Sequence, residues 1–186
     1  MSRSGLNSYE IRDGVAYLEL TNVAGEVVAH ALLDEQDIPG LLAYGRRWSL
    51  SQVTRNRTQY VRHGSPTIYL HRHLLGEAGL YVDHINGNGL DCRRSNLRVA
   101  TASQNSHNRQ IATNNKSGKK GVRWHKNAKK WVAVIRHEGR SRTLGYFSDL
   151  EAAARAYDEA AQRLFGKFAY TGAPLSIPAA SQTLGK

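Results

Sequence analysis

Residues 82–105 read VDHINGNGLDCRRSNLRVATASQN, and the fold is decided there. Tyr81-Val82 runs into Asp83-His84 as a short strand whose end presents two functional side chains on opposite faces. Asn86-Gly87-Asn88-Gly89 demands a sharp turn with positive φ angles, which glycine and asparagine adopt at low steric cost. Leu97-Arg98-Val99-Ala100 alternates as a return strand. Thr101-Ala102-Ser103-Gln104 has the form of a capping box, so a helix starts at Ala102 and carries Asn105 in its first turns. Strand, loop, strand and helix in that order can hold one metal ion beside one imidazole.

That pairing suits phosphodiester cleavage. The reaction needs an activated water, a sink for the developing charge and help for the leaving oxygen. A histidine can take a proton from water near neutral pH. Asp83 offers a carboxylate oxygen and Asn105 an amide oxygen, hard donors of the kind Mg2+ prefers. Asn96, across the loop, is the candidate to orient the His84 ring.

The charge pattern names the partner. The 186-residue chain has a net charge of +11. Residues 1–92 hold 8 Lys/Arg against 10 Asp/Glu, whereas residues 93–147 hold 14 against the single acid Glu138. A basic block of that kind is a footprint for polyphosphate, because each neutralised phosphate releases condensed counterions. It has no apolar stripe of the kind that lays a basic helix on a membrane. The one cysteine, Cys92, excludes a disulfide framework and a cysteine-based zinc site within one chain. No apolar run approaches the roughly 18 residues of a membrane span, and the N-terminus has no signal-peptide pattern. The expectation is a cytoplasmic protein.

Working outward, residues 7–32 read as short strands with a hairpin turn at Asp13-Gly14 and another turn at Gly25. Asp34 or Asp37 could cap a short helix containing Pro39, and Ile68–Leu75 reads as a helix stopped by Gly76. His71 and His73 on that helix point about 100° apart per residue, so they do not share a face. Residues 111–120 are polar and linker-like. Three strand patterns follow, at 121–126, 130–137 and 141–147, with turns at Asn127-Ala128 and Glu138-Gly139. An alanine-rich helix runs to Phe165, with a capping box expected at Ser148/Glu151. Residues 171–186 have no periodicity and are expected to be disordered.

The segment DHINGNGLDCRRSNLRVATASQN resembles the HNH endonuclease motif, also called the His-Me or β-β-α-metal finger, and LHRHLLG resembles its lead-in in phage homing endonucleases. The resemblance implies His84 as general base, Asp83 and Asn105 as ligands of one Mg2+ or Mn2+ ion, and Asn96 as the residue that positions His84. It implies 5′-phosphate and 3′-hydroxyl products. Cys92 departs from it, standing where asparagine is common. Residues 121–169 resemble the APETALA-two or ethylene-response-factor DNA-binding domain, in GVR, W-A-I-R, LG-F and AARAYDEAA. That family lays a three-stranded sheet in the major groove. By this resemblance and by strand alternation, Arg123, His125 and Arg136 face DNA, and Trp131, Ala133 and Ile135 face the helix. Arg140 and Arg142 alternate with Ser141 and Thr143, and the pattern alone does not say which pair meets DNA. Arg93, Arg94 and Arg109 complete the expected DNA contacts.

The expected architecture is α+β, with boundaries at 1–66 (β-rich scaffold), 67–110 (nuclease finger), 111–120 (linker), 121–170 (sheet plus helix) and 171–186 (tail). The expected function is a metal-dependent endonuclease, monomeric, that nicks double-stranded DNA. The rival is a DNA-binding transcriptional regulator with a vestigial finger. An RNA-binding accessory protein is weaker, since no stacking motif is visible.

Overall fold

A computed structural model describes residues 5–51, 58–76, 80–112 and 114–170. The chain divides into two compact units. Among the described residues, the first comprises those up to 76 together with 84–98, and the second comprises 80–83 with 99–170.

The first unit opens with the antiparallel strands β1 (Tyr9–Arg12), β2 (Val15–Thr21) and β3 (Val27–Asp34), in that order across the sheet. The hairpin at Asp13-Gly14 has φ of 51° and 74°, the two positive angles that match strand twist in a tight turn. Ala16, Leu18 and Leu20 of β2 alternate into the core, as the sequence pattern requires. Helix α1 (Ile38–Tyr44) carries Pro39 in its first turn and stops at Gly45. Neither Asp34 nor Asp37 caps it with a side chain. A second small sheet orders β4 (Ser49–Leu50), β5 (Val61–His63) and β6 (Ile68–Tyr69), and helix α2 (Leu70–Leu75) follows. The helix expected from Ile68 therefore starts two residues late. Ile68 and Tyr69 pair with His63 and Arg62, a role their branched and aromatic side chains favour.

The core of this unit gathers Leu18, Leu20, Leu33, Trp48, Val61 and Leu70, and it takes in Cys92 from the loop of the opening stretch. Strand β3 holds that loop directly. The Leu32 N–H donates to the Leu90 carbonyl (2.9 Å), and the Cys92 N–H donates to the Leu32 carbonyl (2.8 Å). Strand β3 thus fixes the loop by backbone bonds.

The opening stretch itself forms β7 (Tyr81–His84), paired with β8 (Leu97–Ala100), and then helix α3 (Ala102–His107). Both bonds of the Thr101–Gln104 capping box are present.

In the second unit, β9 (Val122–His125), β10 (Lys130–His137) and β11 (Arg140–Phe147) form an antiparallel sheet with β10 in the middle. Helix α4 (Leu150–Phe165) covers one face. Ala133 and Ile135 pack on Ala153, Tyr157, Ala160 and Ala161, whose small side chains let helix and sheet approach closely. The cap is Asp149 rather than Ser148. Its carboxylate accepts the Ala152 N–H at 2.7 Å, while Glu151 pairs with Lys119. Gly121, at φ 69°, lies against the Tyr157 ring, and a Cβ there would run into that ring.

The segment expected as a linker is knitted by its own side chains. Asn115 Oδ1 accepts the N–H groups of Ser117 and Gly118, and its Nδ2 donates to the Lys119 carbonyl. The expected tail, 171–186, lies outside the described residues. Among the described residues, no helix is long and apolar enough to cross a membrane.

Candidate active site and nucleic-acid interface

In the first unit, His84 ends β7 at 5% exposure. The His71 ring meets it edge to face, with centroids 4.7 Å apart, and the Tyr60 ring lies 5.7 Å away. Burial lowers the His84 pKa to about 4, against an opposing pull from the Asp91 carboxylate. The imidazole is therefore neutral at pH 7. Cys92 Sγ lies 4.0 Å from His84 Nε2, and burial pushes the thiol pKa up, so it stays protonated. His71 and His73 diverge as the helix geometry requires. His71 is buried beside Tyr60, Tyr69 and His84, whereas His73 packs on Tyr44 and Trp48.

The loop below His84 is organised by Asp91, a residue the sequence reading did not single out. Asp91 is 2% exposed. It accepts from Asn86 Nδ2 at 2.9 Å and takes a two-pronged bond from Arg93, both prongs at 2.7 Å. Asn96 was expected on the His84 ring. Its amide instead accepts the Asn86 N–H (3.0 Å) and donates to the Asp91 carbonyl (2.8 Å), while its own carbonyl takes the Ile85 N–H. Any effect of Asn96 on His84 runs through the backbone of residues 85–91. Of the two loop glycines, Gly87 has the expected positive φ, 72°. Gly89 is needed for space, since a Cβ there would strike the Gln59 carbonyl and the Tyr60 ring.

Arg93 and Arg94, expected as DNA contacts, are both engaged by carboxylates of the protein itself. Arg93 is bonded to Asp91, and Arg94 binds Asp37 with a shortest contact of 2.7 Å and also donates to the Leu74 carbonyl. Charge counting missed this because the partner carboxylates include one 57 residues away in sequence. Both guanidinium groups brace the loop.

In the second unit, Asp83 is 6% exposed, and both its oxygens accept from Asn108 Nδ2 at 3.1 Å. Asn108 closes α3 and is itself 6% exposed. Asn105 lies three residues earlier, on the same side of the helix, and is half-buried. The spacing of Asn105 and Asn108 was the signal that could have placed Asn108 here. One carboxylate and one neutral amide oxygen make a hard donor set, fitting Mg2+ or Mn2+ and poorly suited to soft ions. Among the described residues, no three His, Cys, Asp or Glu side chains gather as a metal cluster.

Strand register decides which face of the module is basic. Partners across an antiparallel ladder share a face. Arg123 pairs with Val132, and Val134 with Thr143, while Arg136 pairs with Ser141. Arg123, Arg136, Ser141 and Thr143 thus share the face away from α4. Arg142 pairs with Ile135 and Arg140 with His137, which puts both arginines on the helix side, the face that the sequence pattern alone left open. A bulge between Ala133 and Val134 shifts the register and then returns Tyr146 to the open face opposite Val132. His125 is on that face too, its ring 5.3 Å from Tyr146 and its Nδ1 accepting the Ala128 N–H. Arg109 is exposed beyond α3.

Two family models match the chain, HNH endonuclease over residues 69–107 and AP2 domain over residues 117–167. Protein 3.8 of Escherichia phage T7 is 36% identical over 91 residues, which is 49% of this chain and 74% of that protein. An uncharacterized HNH endonuclease of Acanthamoeba polyphaga mimivirus is 29% identical over 175 residues, covering 90% of this chain and 87% of its own length. No solved structure matches significantly. The finger and the sheet-on-helix module together define a nuclease, a phosphodiester hydrolase, whose partner is DNA. The chain belongs to the HNH endonuclease family and carries an AP2 domain after its finger.

Proposed function

We propose that this chain is a metal-dependent endonuclease that nicks duplex DNA, with His84 as general base and Asp83 and Asn105 holding one Mg2+ or Mn2+ ion. The observation that carries the reading is the pair Asp83-His84. These are consecutive residues at one strand end, both nearly fully buried, one lying against an amide and the other held as a neutral imidazole. A bound divalent ion supplies charge neutralisation at the phosphate and the leaving oxygen. His84 takes the proton of the attacking water. Burial keeps its pKa low, so the ring meets the water in the neutral form that can accept a proton. Asn96 and Asp91 keep the loop, and with it the end of β7, in one conformation. Arg123, His125 and Arg136 on the open sheet face hold the duplex, and the cut leaves a 5′-phosphate and a 3′-hydroxyl. The protein acts as a monomer, and one centre per monomer cuts one strand.

Supercoiled plasmid incubated with Mg2+ or Mn2+ tests this. The wild type is expected to yield open circles. His84→Ala is expected to slow that conversion by about 10²–10⁴-fold and to retain DNA binding. Absence of nicking with every divalent ion sinks the reading in favour of a non-catalytic DNA-binding protein, and an unchanged rate in His84→Ala removes His84 as the base.

A further inference from the structure

Lys120 stands at the start of the AP2 module, yet its ammonium is directed at the finger helix. Nζ donates to the His107 carbonyl at 2.7 Å and to the Arg109 carbonyl at 2.6 Å. These two peptides flank Asn108, the residue that closes α3 and holds the Asp83 carboxylate. A cation on the last carbonyls of a helix is favourable, because those groups have no partner within the helix.

Four further contacts keep Lys120 and the end of α3 in place. The ammonium lies 4.7 Å from the centre of the Tyr170 ring. The His107 ring stacks on Phe165 of α4, with centroids 3.7 Å apart and planes 14° from parallel. On either side of Lys120, Lys119 pairs with Glu151 and Gly121 is pressed against Tyr157. Burial lowers the Lys120 pKa to about 8. A solvated lysine in a loop would bear no such penalty, and the two carbonyl bonds offset it.

We propose that Lys120 is a positioning residue of the nuclease centre: by gripping the carbonyls on both sides of Asn108, it keeps the Asn108 amide on Asp83 and ties that carboxylate to the DNA-binding module. The inference rests on the reading of Asp83 as a metal ligand. Lys120 contacts neither DNA nor the ion. It sets the pose of the ligand's partner, and partners of that kind typically tune metal affinity by about 10–100-fold.

The test uses the full-length chain. Mn2+ binding is followed by electron paramagnetic resonance, DNA affinity in EDTA by filter binding, and nicking at varied Mn2+ concentration. Lys120→Met is expected to weaken Mn2+ binding and raise the Mn2+ concentration for half-maximal nicking about tenfold or more, with metal-free DNA affinity unchanged. Lys120→Arg, which keeps the charge and two donors, is expected to restore most of the loss. Asn108→Ala combined with Lys120→Met is expected to lose little more than Asn108→Ala alone, since both act on one contact.

Wild-type Mn2+ binding in Lys120→Met overturns the proposal, as does a parallel loss of DNA affinity, which would make Lys120 a phosphate contact. If Lys120→Met fails to fold, Lys120→Arg and Asn108→Ala decide. An Asn108→Ala protein that binds Mn2+ normally removes the route by which Lys120 would act. A wild-type protein that binds no Mn2+ overturns the metal reading itself, and the Lys120 inference falls with it.

Discussion

The loop of the finger and the sheet module are held by different forces. In the loop, residues 85–96 turn around buried polar groups. Asp91 is bonded by Asn86 and Arg93, Asn96 spans two backbone groups, and Arg94 reaches Asp37. The module is held by apolar packing, with Ala133 and Ile135 on a helix face of alanines and Tyr157. Hydrophobic packing tolerates exchange of similar volumes, whereas a polar network in a low-dielectric interior fails when one member is lost. The polar arrangement suits the role proposed for His84, because a general base has to be held in one place. A module that reads DNA needs only a firm back and a free front.

The most damaging single change should therefore fall in the loop. Asp91→Ala is expected to destabilise the first unit by about 2–4 kcal/mol, toward the lower side for a broken buried pair because Arg93 remains partly exposed. Nicking should fall with it, while the AP2 module keeps its affinity for DNA. Urea unfolding beside plasmid nicking would measure both. A cost no larger than that of an exposed-surface substitution would end the contrast between the two regions.

These two kinds of stabilisation also explain what was legible in the sequence. Alternation in β2 and β10, the positive-φ hairpin at Asp13-Gly14 and the Thr101–Gln104 box depend on near neighbours in the chain, and the structure agrees with them. Asp83, His84, Asn96 and Asn105 could be picked out because their spacing follows a motif. What stayed hidden depends on partners distant in sequence. Arg94 finds Asp37, and Leu32 pairs with the loop of the finger, with no local signal for either. The faces of Arg140 and Arg142 required the strand register, and the bulge near Val134 makes parity alone insufficient beyond it. Lys120 read as one more basic residue in a linker, because only the fold brings the carbonyls of His107 and Arg109 to it.

Acid should sharpen the comparison next. His71 and His84 are both buried in the first unit, with pKa values lowered to about 3 and about 4, first by burial. The unfolded chain, with histidines near 6.5, binds more protons than the folded one between those limits. Stability from this source is therefore complete above about pH 6.5 and is lost as pH falls toward 3–4, with a slope of at most about 1.4 kcal/mol per pH unit for each histidine. Among the described residues, the core of the AP2 module contains no histidine, and in the second unit burial lowers the pKa of His107, which is less buried than His71 and His84. Thermal melts from pH 7 to pH 4 should show the first unit losing stability earlier, and His71→Phe should flatten its pH dependence. Equal acid sensitivity in the two units would contradict the burial of these imidazoles.

The smallest expected effect separates the two faces of the module. Arg123 and Arg136 share the face away from α4, and Arg142 pairs with Ile135 on the helix side, yet all three are exposed. Solvent exposure cannot tell them apart, so only DNA can. Arg123→Ala and Arg136→Ala should each weaken DNA binding by about 1–3 kcal/mol where the guanidinium reaches a base edge, or lower the salt slope by about one where it reaches phosphate. Arg142→Ala should stay within about 0.5 kcal/mol, the ordinary range for a surface substitution. Titrations of His84→Ala protein with duplex DNA at two salt concentrations give both quantities with cleavage suppressed. A loss at Arg142 as large as that at Arg136 would mean that DNA wraps the edge of β11, and the two-faced picture of the sheet would give way to one in which its outer strand is the reading edge.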